Sequence, residues 1–211
     1  MTNPDLRGLQ PPPWEERRRF GFINGLVLTI RMVLTDPGRL FRGMPVGTGM
    51  LEPLLFAATL AVLGAVFDWM WGLSLGNLPS MFDSRLGQLM HAPGFGMGQF
   101  LLSPIIVLIM VFVRAAAFHL MLSLLGGTRL GFEATVRVVA YSRATRLLSV
   151  IPFCGSIVGG IWELVVTIIG LAKIHGCPEW KAVVAVLLPV MLGLFLLVSW
   201  FVAILGFALL S

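Results

Sequence analysis

Apolar residues occur in long continuous runs from about residue 51 to the end of the chain, separated by short polar or glycine-rich stretches. Continuous runs of this length are typical of membrane-spanning helices, whereas the strands of a membrane barrel alternate apolar and polar positions. The pattern predicts an all-α fold, a polytopic membrane helical bundle with five transmembrane helices in a domain covering residues 51–211. The predicted spans are about 51–73, 100–123, 133–151, 155–174 and 182–208.

The N-terminal part of the chain has a different pattern. Residues 1–15, around "PPPW", predict a disordered cytoplasmic tail, and residues 16–50 predict an interfacial amphipathic helix followed by a connector. The apolar run before Arg31 is too short to cross a bilayer and has arginines on both sides. We therefore expect this helix to lie along the inner leaflet, held by apolar contacts and by anionic lipid. A short re-entrant segment is the alternative.

The composition indicates a bilayer environment. Hydrophobic residues make up 57% of the 211 residues and charged residues only 12%, whereas about one quarter of a typical soluble domain is charged. The net charge of +5 arises from basic residues that flank the spans, so we expect no nucleic-acid partner. Cys154 and Cys177 lack metal-ligand spacing, and no nucleophile elbow, P-loop or zinc motif occurs. We therefore expect no cofactor, no metal and no enzymatic activity.

The distribution of basic residues predicts the orientation. Arginines are abundant in the first 50 residues, whereas the loop 74–98 contains a single Arg or Lys residue, Arg85. Because cytoplasmic loops carry the excess of Lys and Arg, the N-terminus should be cytoplasmic and this loop should face outside. With five spans, the C-terminus should also lie outside.

The stretch 133–151, "EATVRVVAYSRATRLLSVI", is apolar but contains arginines. Arg129 before it and the loop with Lys173 and Lys181 after it both favour the cytoplasmic side, so the number of crossings between them should be even. Since 155–174 supplies one crossing, 133–151 should supply the other, with "PFCG" as an outer turn. Polar residues cover most of this helix, so we expect other helices to enclose it. The alternative places it on the inner surface and gives four spans.

Three charges are predicted to meet near the middle of the bilayer. Arg143 and Glu163 are equally distant from the turn at Phe153, and antiparallel helices would place them at the same depth. Arg114 is at a similar distance from the inner end of its own span. We predict a buried Arg143–Glu163 ion pair with Arg114 nearby. One positive charge would remain for an anionic group such as a lipid phosphate.

Three interpretations of these polar residues stay open. They could be purely structural, with Arg137 and Arg146 extending towards opposite interfaces. They could bind an anionic lipid or solute, or they could couple a proton or ion. The candidate intramembrane polar site consists of Arg114, Arg143, Glu163, Arg146, Arg137, Tyr141 and His119.

Five stretches of the chain resemble one membrane-protein family. They are "DPGRLFRGMP", "EPLLFA", "VVAYSRATRLLSVIP", "IWELVVTIIGLAKIHG" and "KAVVAVLLPV". In this order and spacing, over roughly residues 35–208, they resemble the bacterial branch of the Yip-domain (Ypt-interacting-protein) family.

The resemblance implies a five-span α-helical domain with a cytoplasmic N-terminus, in the bacterial cytoplasmic membrane. Eukaryotic members are associated with early secretory membranes and Rab-type GTPases and have longer cytoplasmic N-termini than this chain. The family supplies no catalytic residues. We therefore expect a non-enzymatic scaffold or assembly factor that binds membrane lipids, anionic at the inner leaflet, and a membrane-protein partner or a second copy. The alternative is a transporter or lipid-moving protein that uses the mid-membrane Arg/Glu layer.

Overall fold

A computed structural model of the chain describes residues 10–75, 95–152 and 154–210. The described residues form eight α-helices and one 3₁₀ helix, which confirms the predicted all-α fold. Residues 1–9, most of the predicted outer loop and Phe153 lie outside the described residues. The helices are α1 (Arg17–Phe20), α2 (Phe22–Thr35), α3 (Pro37–Arg42), α4 (Leu51–Leu75), α5 (Phe95–Leu124), α6 (Phe132–Ser142), the 3₁₀ helix (Arg143–Val150), α7 (Gly155–His175) and α8 (Glu179–Leu210).

Among the described residues, four helices are long and apolar enough to cross a membrane. Their spanning parts are Leu51–Trp71, Leu101–Leu124, Gly155–His175 and Glu179–Ala203. α2 is apolar but only 14 residues long, which is shorter than the roughly 20 residues that a crossing needs. Its position along the inner leaflet stays a prediction.

The predicted span 133–151 is not one α-helix. α6 ends at Ser142, and a 3₁₀ helix of 8 residues continues the chain to Val150. Hydroxyl groups compete with the helical backbone at the junction. Ser142 Oγ donates to the carbonyl oxygen of Val138 at 2.8 Å, and Thr145 Oγ1 donates to that of Ser142 at 3.0 Å. This segment is not among the four spanning helices, so the count of five spans stays a prediction.

The α6–3₁₀ segment nevertheless runs antiparallel along α7. A Cβ added at Gly155 would collide with the carbonyl group of Leu148. At the other end of α7, the imidazole of His175 lies 3.1 Å from Thr135 Oγ1. α7 has 21 residues, and the segment has 11 α-helical and 8 3₁₀ residues. Both therefore extend about 32 Å, close to the thickness of a bilayer core.

The first part of this segment, α6, is closely packed. Every residue from Ala134 to Ser142 is buried, so other helices enclose α6 as expected. The 3₁₀ helix is enclosed only in part, because Arg146 and Val150 are exposed. Gly170 of α7 lets the two helices approach, because a Cβ there would lie 2.6 Å from the side chain of Val138. Polar residues in α6 are therefore shielded from any lipid around the bundle.

The segment before α1 packs into the core, which differs from the prediction of disorder through residue 15. Trp14 is only 1% exposed. Its backbone N–H donates to Thr29 Oγ1 at 2.9 Å, and its indole N–H donates to the carbonyl oxygen of Glu52 at 2.9 Å. Burial of a large aromatic side chain with its polar group satisfied offsets the entropy lost on ordering the segment. We call residues 10–16 the N-terminal strap.

Candidate intramembrane polar site

The three charges predicted to meet do come together. Glu163 lies on α7, Arg114 on α5, and Arg143 begins the 3₁₀ helix. Glu163 Oε1 accepts a hydrogen bond from Arg114 Nη1 and another from Arg143 Nη1, the latter at 3.3 Å. The Glu163 side chain is 5% exposed, and the side chains of Arg114 and Arg143 are 26% and 17% exposed. One carboxylate oxygen therefore joins three elements of the bundle.

The cluster has two positive charges and one negative charge. A carboxylate buried among apolar helices needs a cationic partner, because loss of hydration is costly for an unpaired charge. The Arg114 guanidinium also lies over the ring of Phe118, 5.7 Å from its centroid. These contacts hold both arginines beside Glu163 and leave a local excess of one positive charge.

Arg146 is not part of the ion pair. It is exposed, and its side chain makes no hydrogen bond to another described residue. In a 3₁₀ helix residues three apart eclipse each other, so Arg143 and Arg146 are on the same face. The two arginines thus form one basic face, on which Arg143 binds Glu163 and Arg146 is exposed.

Arg137 and Tyr141 belong to a second cluster, near the start of α6. Arg137 is fully buried. Its Nη1 donates to Glu15 Oε1 at 2.7 Å and its Nε donates to Glu133 Oε1 at 3.1 Å. The Tyr141 hydroxyl donates to the same Glu15 oxygen at 2.7 Å. Arg137 does not extend towards an interface, because two carboxylates satisfy it inside the protein.

The loop before α4 completes this second cluster. Arg137 Nη2 donates to the carbonyl oxygen of Gly49 at 2.9 Å and to Thr48 Oγ1. The backbone N–H groups of Gly47 and Gly49 donate to Glu133 Oε1 at 3.0 and 3.1 Å. Both glycines have positive φ angles, 89° and 95°, a conformation that other residues adopt at a cost. The loop therefore turns its amides towards Glu133.

His119 lies in a third polar group. His119 Nδ1 is 2.8 Å from Thr135 Oγ1, which is 3.1 Å from His175 Nε2. The backbone N–H of Leu130 donates to His175 Nδ1 at 3.3 Å. Because Nδ1 of His175 accepts, His175 is neutral and carries its proton on Nε2. Nε2–H then donates to Thr135 Oγ1, and the Thr135 hydroxyl donates to His119 Nδ1. The group ties α5, α6 and α7 together.

The predicted site is thus three separate polar groups. Sequence reasoning missed Glu15, Glu133 and His175. The burial of the segment around Glu15 could have been inferred from its neighbour Trp14, because a large aromatic side chain is costly to leave in water. Within the described ranges, no group of three His, Cys, Asp or Glu residues could hold a metal ion.

Comparison with known families identifies the domain. The Yip1 domain profile matches residues 31–208. The chain belongs to the Yip1 domain family. No curated protein and no solved structure matches it. As a Yip1 domain protein with several long apolar helices, it is a multi-pass integral membrane protein. Glu163, Arg114 and Arg143 lie inside the matched region, whereas the N-terminal strap precedes it.

Proposed function

We propose that this Yip1 domain protein is a non-enzymatic scaffold or assembly factor of the bacterial cytoplasmic membrane, which binds partner membrane proteins. The observation that supports this proposal best is the pairing of the buried charges. Glu163 binds Arg114 and Arg143, so these groups serve to join helices. A rigid core of this kind suits a protein that presents surfaces to partners.

Residues 191–203 of α8 form the surface that we propose for a partner. Residues 191–203 are exposed on all sides of the helix. A Cβ added at Gly193 would meet nothing within 4 Å. Small residues on a membrane helix allow close approach of a second helix. We propose that a partner membrane helix, from another protein or from a second copy, packs here.

Photo-crosslinking in the membrane tests this proposal. We expect a photoreactive residue at Leu192 or Leu196 to form adducts with protein. The matched controls are Ile109 and Ile105 on α5, because Leu192 and Ile109 are 55% and 54% exposed. α5 buries its other face within the bundle, so its exposed positions should give lipid adducts. Lipid adducts alone at all four positions would contradict the scaffold proposal.

We further propose five spans, with the N-terminus in the cytoplasm and the C-terminus outside. The support is the antiparallel run of the α6–3₁₀ segment along α7, from Thr135 opposite His175 to Leu148 opposite Gly155. If α7 crosses the membrane, a segment that accompanies it over its whole length crosses as well.

The two native cysteines provide a test of this topology. Cys154 is exposed, and with five spans it lies outside. Cys177 is 9% exposed, and burial raises the pKa of its thiol, so little reactive thiolate forms. We expect a membrane-impermeant maleimide to label the protein in intact cells. Cys154→Ser should abolish labelling, whereas Cys177→Ser should leave it unchanged. Labelling of Cys154 only after permeabilisation would favour four spans.

A transporter or lipid-moving protein is the second candidate function. The observation in its favour is the excess positive charge of the Arg114–Glu163–Arg143 cluster together with the exposed Arg146. An anionic group could bind there without displacing Glu163. Anion flux or lipid movement in proteoliposomes that Arg114→Gln abolishes would favour this candidate over the scaffold.

A further inference from the structure

A groove with basic and apolar walls lies between the N-terminal strap and α1 to α3. Its volume is about 520 Å³. Arg19 and Arg39 line it from two different elements, and Gln10 of the strap contributes an amide. The apolar side chains of Phe20, Met32 and Leu40 line it as well. The groove therefore combines separate cationic side chains with an apolar wall.

The charges of the groove are not balanced internally. Glu16 Oε2 lies 3.6 Å from Arg19 Nη1. An ion pair at the surface contributes little to the stability of the fold. The guanidinium of Arg39 makes no hydrogen bond to any described residue, although its backbone N–H caps α3 by donating to Asp36 Oδ1 at 3.1 Å. With Glu16 counted, the groove keeps one net positive charge. That charge suits one anionic group.

We infer that this groove binds the headgroup of an anionic phospholipid. The phosphate would lie between the guanidinium groups of Arg19 and Arg39, which match its geometry. The glycerol and the start of an acyl chain would cover Phe20, Met32 and Leu40. This inference rests on the proposed inner-leaflet position of α2, but not on the scaffold function. A soluble phosphate would satisfy the arginines alone and would leave the apolar wall uncovered.

Lipid titration of the purified full chain tests the inference. Phosphatidylglycerol or phosphatidylcholine is added to the protein in neutral detergent, and bound lipid is counted by native mass spectrometry. We expect wild-type protein to prefer phosphatidylglycerol. Because a basic residue near anionic lipid contributes about fivefold in affinity, Arg19→Gln with Arg39→Gln should weaken the tightest site by about 25-fold.

The matched control removes the same charge outside the groove. Arg18→Gln with Arg31→Gln should weaken the tightest site by less than about threefold, since both side chains are exposed and neither lines the groove. Equal losses in the two double variants would show a diffuse basic surface and overturn the inference. So would equal affinity of the wild-type protein for the two lipids.

Two competitors identify the source of the anion. Glycerol 3-phosphate in millimolar excess should leave the phosphatidylglycerol bound, because it cannot cover the apolar wall. If it displaces the lipid, the groove recognises a soluble phosphate. If an acidic peptide displaces the lipid, the groove recognises a protein segment. Either result overturns the lipid assignment. The assay contains no partner protein, so its failure leaves the scaffold proposal intact, and failure of crosslinking at α8 leaves the groove intact.

Discussion

Glu163→Gln should destabilise the bundle by about 3–5 kcal/mol, the usual cost of removing one partner of a buried ion pair. The substitution keeps the size of the side chain but removes the charge that balances Arg114 and Arg143. Both guanidinium groups would then remain among apolar helices without a carboxylate. Equilibrium unfolding in mixed micelles measures the free energy of unfolding directly.

The control for this variant is Glu179→Gln. Glu179 binds Lys173 at 3.1 Å, but its side chain is 73% exposed, so its removal should cost less than about 1 kcal/mol. The double variant Glu163→Gln with Arg143→Gln tests the pair itself. It should recover part of the stability that Glu163→Gln loses, with a coupling energy of at least about 1 kcal/mol. Harmless single variants without coupling would show that the pair contributes nothing to stability.

Glu15→Gln should also be strongly destabilising, towards the lower end of about 3–5 kcal/mol. Arg137 would lose the negative charge of its partner at 2.7 Å and keep the carboxylate of Glu133 at 3.1 Å. The Tyr141 hydroxyl would lose an ionised acceptor. Because Glu15 belongs to the N-terminal strap, the loss should appear first as release of the strap, measurable as faster proteolysis before α1.

The adjacent carboxylate is a matched control for this second variant. Glu16→Gln changes the same charge one residue later, where the partner Arg19 is 77% exposed. We expect a change within about 0.5 kcal/mol and an unchanged rate of proteolysis. Similar proteolysis of the two variants would mean that the general charge of the strap, and not the contact of Glu15 with Arg137, holds it in place.

The sequence was sufficient to predict that Arg143 and Glu163 meet across two antiparallel segments, with Arg114 nearby. Arg143 and Glu163 are equally spaced from one turn, and the constant rise of helices converts that spacing into a common level. All 8 residues of the 3₁₀ helix lie between Arg143 and the turn and lengthen that stretch by about 4 Å relative to an α-helix. The long side chain of Arg143 spans this difference and still reaches Glu163 Oε1 at 3.3 Å. Apolar runs likewise predicted α4, α5, α7 and α8, since hydrophobic length is the dominant signal for membrane helices.

Contacts between distant parts of the chain could not be predicted in this way. Glu15 and Arg137 are 122 residues apart, and a rule based on local composition assigns a proline-rich tail to disorder. The 3₁₀ helix was also missed, because periodicity does not report the hydroxyl contacts of Ser142 and Thr145 or the close approach of Gly155. Tertiary packing decided the position of the strap, whereas local hydroxyl contacts together with packing against α7 decided the 3₁₀ helix.

The α6–3₁₀ segment also constrains how the protein enters its membrane. Its arginines oppose insertion as an isolated helix, since a central Arg costs about 2.5–3.5 kcal/mol on translocon scales. Glu163, the carboxylate that neutralises Arg143, emerges from the ribosome only with α7. On the proposed topology, the segment must therefore wait beside the translocon and insert together with α7 as one hairpin.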